Sequence, residues 1–98
     1  MAEIKFGATY SERDNFSDLP DYSKRVEELG YDSLWVTENI SSDSPALECF
    51  TALSFMAAHT SRLTIGTSVL LLPLRNPVLV AQAVNSLDVL SGGRVVLG

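Results

Sequence analysis

The side chains in this chain that could do chemistry are few, and most of them stand just after a short apolar run. Glu38-Asn39 follows Ser33–Thr37 (SLWVT). Glu38 can titrate, whereas Asn39 donates and accepts hydrogen bonds but exchanges no proton near neutrality. Asn39 therefore reads either as a hydrogen-bonding group at a site or as a turn residue opening the next loop, and Glu38 as a structural or ligand-contacting carboxylate more than a proton shuttle. Thr9-Tyr10 ends the first apolar run (IKFGATY). The Thr9 hydroxyl could meet a substrate or serve as an ordinary strand end, and Tyr10 reads as core or pocket wall. Gly66-Thr67-Ser68-Val69 ends the third run, where small Gly66 and Thr67 leave the backbone open to close approach. The plainer alternative is a simple strand end with Ser68 capping a neighbouring amide.

The remaining candidates read as structural. Arg75, next to Asn76-Pro77, reads as a solvated residue at a helix start. Asp88 and Arg94 are placed to form an ion pair that fixes a helix-to-strand turn. His59 falls near the end of a helix, where a hydrogen-bonding group suits the dipole. It has no partner at ligand spacing, so no metal site is expected. Cys49 is the only cysteine, which excludes an internal disulfide and a cysteine-based metal site. Leu71, Leu72 and Leu74 make an apolar loop expected to pack on the second helix or to line a pocket, and Trp35 reads as core. No P-loop, GxGxxG turn or GxSxG elbow is present.

What must position these groups is a repeat of strand and helix. Apolar strands are expected at Ile4–Tyr10, Ser33–Thr37, Leu63–Leu70 and Arg94–Gly98, with starts recurring about every thirty residues, the length of one βα unit. Between them three helices carry stripes at helical spacing: Leu19, Tyr22, Val26 and Leu29; Leu47, Phe50, Leu53 and Ala57; Val80, Ala83, Val84, Leu87 and Leu90. Asp18 or Ser17 with Pro20, Ser44 with Pro45, and Asn76 with Pro77 supply cap-then-proline starts. Gly30 and Ser91-Gly92-Gly93 supply stops. The third and fourth strands are continuous apolar runs, as in a parallel sheet covered on both faces. The order β-α-β-α-β-α-β gives an α/β half-barrel with parallel strands. A closed (β/α)8 barrel needs about 250 residues, so residues 1–98 are expected to be the N-terminal half of such a domain, truncated after the fourth strand begins. Otherwise the chain self-associates through its open edges.

Composition sets the class of partner. The chain has 98 residues, 46% of them hydrophobic, with 7 Lys and Arg against 12 Asp and Glu, a formal net charge of −5. Without a cationic stripe there is no basis for nucleic-acid binding, and no apolar run approaches the ~20 residues of a membrane span. Charged Glu3 and Lys5 in the first segment do not suit a signal peptide, and a cytoplasmic location is the expectation.

SLWVTEN, TSRLTIGTSV running into LPLRNPVLVAQ, and LDVLSGGRVVLG together resemble the luciferase-like monooxygenase family over essentially the whole chain. The resemblance implies part of a (β/α)8 TIM barrel in a flavin- or deazaflavin-dependent oxidoreductase or monooxygenase. Its cofactor would be reduced FMN or coenzyme F-420, used for hydride transfer or oxygen insertion on a small-molecule substrate. It implies a bulge with a cis peptide between Ser68 and Val69 supporting one face of the ring, with Thr67 beside it. Asn39 and Glu38 would sit at the ring edge as the catalytic positions, and Thr9 near substrate. Asn39 stands where family members commonly have histidine, which removes a titrating group from that position. A binding protein without turnover, or a self-associating half-barrel, is the rival reading. A homo-oligomer, or pairing with the other half of a barrel, would cover the open edges.

Overall fold

The structure is a computed structural model and describes residues 3–10, 16–39 and 46–98. Four short strands, β1 (Gly7–Tyr10), β2 (Ser33–Val36), β3 (Thr64–Thr67) and β4 (Val95–Val96), form one sheet in sequence order. All three pairings are parallel. Consecutive strands are joined through α1 (Leu19–Glu28), α2 (Cys49–Ala58) and α3 (Pro77–Ser91). Short 3₁₀ turns at Phe16–Asp18 and Leu72–Leu74 precede α1 and α3. The strands are shorter than the apolar runs suggested, and Ile4 and Phe6 lie exposed ahead of β1.

Each helix has a local reason to start and stop. Asn76 caps α3, its side-chain oxygen accepting from the Val78 and Leu79 amides at 2.9 and 3.4 Å, with Pro77 in the first turn. The helix ends at Gly92, whose φ of +74° few other residues adopt without strain. Asp18 occupies the cap position of α1 without a side-chain bond, and Pro20 sits in the first turn. For α2 the expected Ser44-Pro45 start lies outside the described residues. The helix runs from Cys49, capped by Glu48 through the amides of Phe50 and Thr51.

The core lies between one face of the sheet and the helices. Leu34, Val36, Ile65 and Tyr10 pack there with Leu19, Val26, Leu53, Met56 and Leu87. Burying side chains of this size stabilises by roughly 1.5–3 kcal/mol each. All three helix stripes differ in part from expectation. In α3 the 3.6-residue period aligns Ser91, not Leu90, with Val80 and Leu87, and Leu90 is 84% exposed. In α1 the buried line is Leu19, Ser23 and Val26, which leaves Leu29 at the helix end exposed. In α2 it is Cys49, Ala52, Leu53 and Met56, with Leu47, Phe50 and Ala57 only half-buried.

Among the described residues, the other face of the sheet carries no helix. By strand alternation it presents Gly7, Thr9, Ser33, Trp35, Thr64 and Gly66. Trp35 therefore belongs to this open face and not to the helix-side core, and it is only half-buried. Its Nε1 donates to Ser33 Oγ at 2.8 Å.

Candidate functional site

Because the strands are parallel, their C-terminal ends share one edge, where Thr9, Glu38-Asn39, Ser68-Val69 and Gly98 gather. β1 is held there by the Tyr22 hydroxyl, which donates to the Thr9 carbonyl at 2.7 Å. Thr9 is exposed on the open face. Tyr10 points the opposite way into the core and packs edge-on against Tyr22, ring centroids 5.1 Å apart.

At the end of β3 the expected cis peptide is present: the bond joining Ser68 to Val69 is cis. The Ser68 amide still donates to the Val36 carbonyl at 2.8 Å, and the Leu70 amide to the Gly98 carbonyl at 2.8 Å, so backbone hydrogen bonds to both neighbouring segments flank the cis bond. Ser68 and Val69 are exposed, Val69 by 55%. Thr67 is different. It is fully buried, and its hydroxyl accepts from the Gly98 amide at 3.1 Å and faces the Gly98 carbonyl at 3.3 Å. Of the three residues expected against a ring, Thr67 has no surface to offer one. Gly66 also differs from expectation, since the room left by its missing side chain is filled by the Trp35 ring.

Glu38 is not a free carboxylate. Its Oε2 accepts from the Leu71 amide at 2.6 Å, and its Oε1 accepts from Arg75 Nε at 3.0 Å and Nη2 at 2.5 Å. Arg75 is the main correction at this edge. Expected in solvent, its side chain is 22% exposed and that of Glu38 11%. Nη2 also donates to Glu48 Oε2 at 2.9 Å and to Cys49 Sγ at 3.3 Å, and the guanidinium lies over the Phe50 ring at 5.1 Å. The hydrogen bonds with Glu38 raise the Arg75 pKa above its already high ordinary value, against the opposing effect of burial.

Burial pushes the Glu48 carboxyl up, but the amides of Phe50 and Thr51, with Arg75 and the Thr51 hydroxyl, outweigh it and bring the group down to about 2. Burial dominates at Cys49 and pushes the thiol up to about 11 despite the nearby Arg75 charge. In the leucine loop Leu72 and Leu74 are exposed and Leu71 is half-buried, and Leu72 lines a groove with Leu70, Pro77, Val80 and Val95, the second of its two expected roles. Asn39 is half-buried and hydrogen-bonding in kind.

The opposite edge is built for stability. Arg94 forms no ion pair with Asp88 among the described residues. Instead its guanidinium donates to the carbonyls of Ser91 (2.6 Å), Leu63 (2.9 Å), Ala57 (3.1 Å) and Thr60 (3.2 Å) and to the Thr60 hydroxyl (2.9 Å). Glu27 receives the amides of Ser61, Arg62 and Leu63. Burial raises its pKa, and these amides lower it by more, leaving it below the usual carboxylate range. His59 Nδ1 lies 2.7 Å from the Phe55 carbonyl. Among the described residues no cluster could hold a metal ion, and no helix is long and apolar enough to cross a membrane.

Glu27 and Arg75 had no local signal that would have singled them out as anchors, since they find partners 27 to 37 residues away. Glu48 alone had a cue, three residues before Thr51 at the start of an apolar run.

Residues 1–98 match a family model described as luciferase-like monooxygenase. An F420-dependent glucose-6-phosphate dehydrogenase from Kineococcus radiotolerans is 40% identical over 85 residues, which cover 82% of this chain and 25% of the relative. The structure of the coenzyme F420-dependent tetrahydromethanopterin reductase from Methanopyrus kandleri superposes with a TM-score of 0.85 at 25% identity, over 99% of this chain and 27% of that one. The FMN complex of the oxygenating constituent of 3,6-diketocamphane monooxygenase from Pseudomonas putida, 20% identical, shares the fold with a TM-score of 0.85, over 98% of this chain and 29% of that one. The chain thus spans between a quarter and a third of the length of these proteins.

Proposed function

This chain belongs to the luciferase-like monooxygenase family, and on that premise we propose that it forms one wall of a flavin-type cofactor site in an oxidoreductase. In this reading residues 1–98 are the N-terminal part of a (β/α)8 barrel whose interior is lined by the helix-free face of the sheet. The observation that carries it is the exposure of Ser68 and Val69 at the end of β3, on the edge where Asn39 and Thr9 also stand, while the neighbouring Thr67, Val36 and Tyr10 are buried. An apolar isopropyl group and a small hydroxyl side by side suit the face of a planar, partly polar ring.

The residues divide the work by chemistry. Ser68 and Val69 support the ring, and Thr9 approaches the substrate. Asn39 hydrogen-bonds at the ring edge, where its amide orients a carbonyl or N–H without exchanging a proton. Glu38 acts through its anchorage, because both its oxygens are already engaged. The cofactor, reduced FMN or coenzyme F-420, supplies the hydride or the oxygen-activating electrons, while the protein orients it and shapes the pocket. The lack of a titrating group at Asn39 favours one second reading, a protein that holds the ring without turnover.

Titrating the whole protein with FMN and with coenzyme F-420, and following the Trp35 emission, tests the site. Saturable quenching by one of them is expected, with Val69→Asp weakening it at least about tenfold. No binding of either would overturn the reading. Stopped-flow mixing of the reduced complex with oxygen or a candidate acceptor separates the two versions. Enzyme-accelerated oxidation supports catalysis, and the unassisted rate supports holding alone.

A further inference from the structure

The geometry points to Arg75 as a positioning residue: through Glu38 it locks the loop after β2, which carries Asn39, to the loop after β3, which carries Ser68 and Val69. The inference rests on the cofactor reading above and goes further, since it says what sets the spacing between the two halves of the ring's cradle. Glu38 bridges the loops itself, being the residue before Asn39 while accepting from the Leu71 amide, two residues after Val69. A carboxylate in that place must be neutralised and held, and Arg75 does both with two donors on one oxygen. Arg75 is in turn held by Glu48 at the start of α2 and by the Phe50 ring. The planar guanidinium therefore fixes an angle as well as a charge, which lysine at this place would not.

The network has two arms that can be cut separately. Glu38→Gln weakens the arm between the loops, and Glu48→Gln weakens the arm to α2. Arg75→Met cuts both, and Arg75→Lys keeps the charge but not the fork. Amide hydrogen exchange reads the lock directly, and titration with FMN and coenzyme F-420 reads its consequence.

In the whole protein, Arg75→Met and Glu38→Gln are expected to lose protection at the Leu71 amide and to weaken cofactor binding by about tenfold, the scale of a small misplacement. Arg75→Lys recovers only part of this, and Glu48→Gln leaves cofactor affinity within about twofold of the parent. Combining Glu38→Gln with Arg75→Met adds little to Arg75→Met alone, because both act on one contact. If the parent binds a cofactor while Arg75→Met and Glu38→Gln bind it equally well, the positioning role is overturned and the cofactor reading survives. A loss in Glu48→Gln as large as in Glu38→Gln overturns it too, since the effect would then be general loosening. A parent that binds neither cofactor overturns both.

Discussion

The Trp35 indole occupies the space above Gly66, its register partner across β2 and β3: a β-carbon built on Gly66 would lie 2.6 Å from Trp35 Cζ3 and 2.5 Å from the Val96 carbonyl oxygen. Real carbon atoms do not approach so closely, and the Val96 carbonyl belongs to backbone that cannot swing aside. Gly7 flanks the same ring on β1, but there a β-carbon would meet Ser33 Oγ at 2.6 Å and Trp35 Nε1 at 2.8 Å, both side-chain atoms. Gly66→Ala is therefore expected to destabilise by about 1–3 kcal/mol, the range for forcing extra volume into a packed place, and Gly7→Ala by less. Urea unfolding measures the order, and Trp35 emission should shift more in Gly66→Ala. Equal effects would show that the indole yields at both places.

That packing explains what could and could not be read from the residues. The four strands, three helices and their order followed from periodicity and from Asn76-Pro77, Gly30 and Gly92, because these signals are local. The cis bond at Ser68-Val69 followed from resemblance alone, since nothing in the types of Gly66, Thr67, Ser68 and Val69 specifies it. Trp35 was misplaced because a short apolar run does not tell which face of a two-sided sheet lies against helices. Arg75 was misplaced because its partners Glu38 and Glu48 lie 37 and 27 residues away and meet it only once α2 and α3 dock. The Asp88–Arg94 pairing failed for a related reason. A guanidinium six residues from a carboxylate has better acceptors in four carbonyls, two of which, Ala57 and Thr60, sit at the end of α2.

Arg94 accordingly makes a sharper prediction than an ion pair would. Arg94→Ala takes the guanidinium donor from the carbonyls of Ser91, Leu63, Ala57 and Thr60, and a loss of about 2–3 kcal/mol is expected. Arg94→Lys restores less than half, because an ammonium cannot reach acceptors arranged around a planar fork. Asp88→Asn should change stability by less than about 0.5 kcal/mol, since its half-buried side chain makes no ion pair among the described residues. Denaturant midpoints of the three variants decide the matter, and a large loss in Asp88→Asn would restore the ion-pair account.

Glu48 predicts the acid side of the stability profile. Its folded pKa of about 2 lies below the ordinary value of 4.5, so the folded state binds its proton less readily than the unfolded state does. The stabilisation is then fully present above about pH 4.5 and is lost as pH falls toward 2. Glu27, also lowered by amide donors, acts in the same direction. The difference in urea midpoint between the parent and Glu48→Gln should be largest at pH 7 and shrink steadily between pH 4.5 and 3. A difference that stays constant across that range would mean the carboxylate's charge contributes nothing beyond what the amide supplies.

Cys49 offers a test of the network around Arg75 that needs no cofactor. The thiol is completely buried at the start of α2, and burial pushes its pKa up to about 11, with Arg75 pulling it down by less. Only the thiolate reacts with disulfide reagents. A thiol reacting from the folded state would speed up with pH throughout the range from 8 to 10. One reacting only after local opening would follow the exposed thiol, whose pKa is about 8.5, and level off near pH 9. The second behaviour is expected, at a rate far below that in urea, because the sulfur has no exposed surface for a reagent to reach. Arg75→Met should accelerate labelling by loosening the start of α2, although removing a nearby positive charge would slow a reaction governed by the thiolate fraction. The two mechanisms thus predict opposite signs for one substitution, and slower labelling in Arg75→Met would show that the guanidinium acts on Cys49 mainly through its charge.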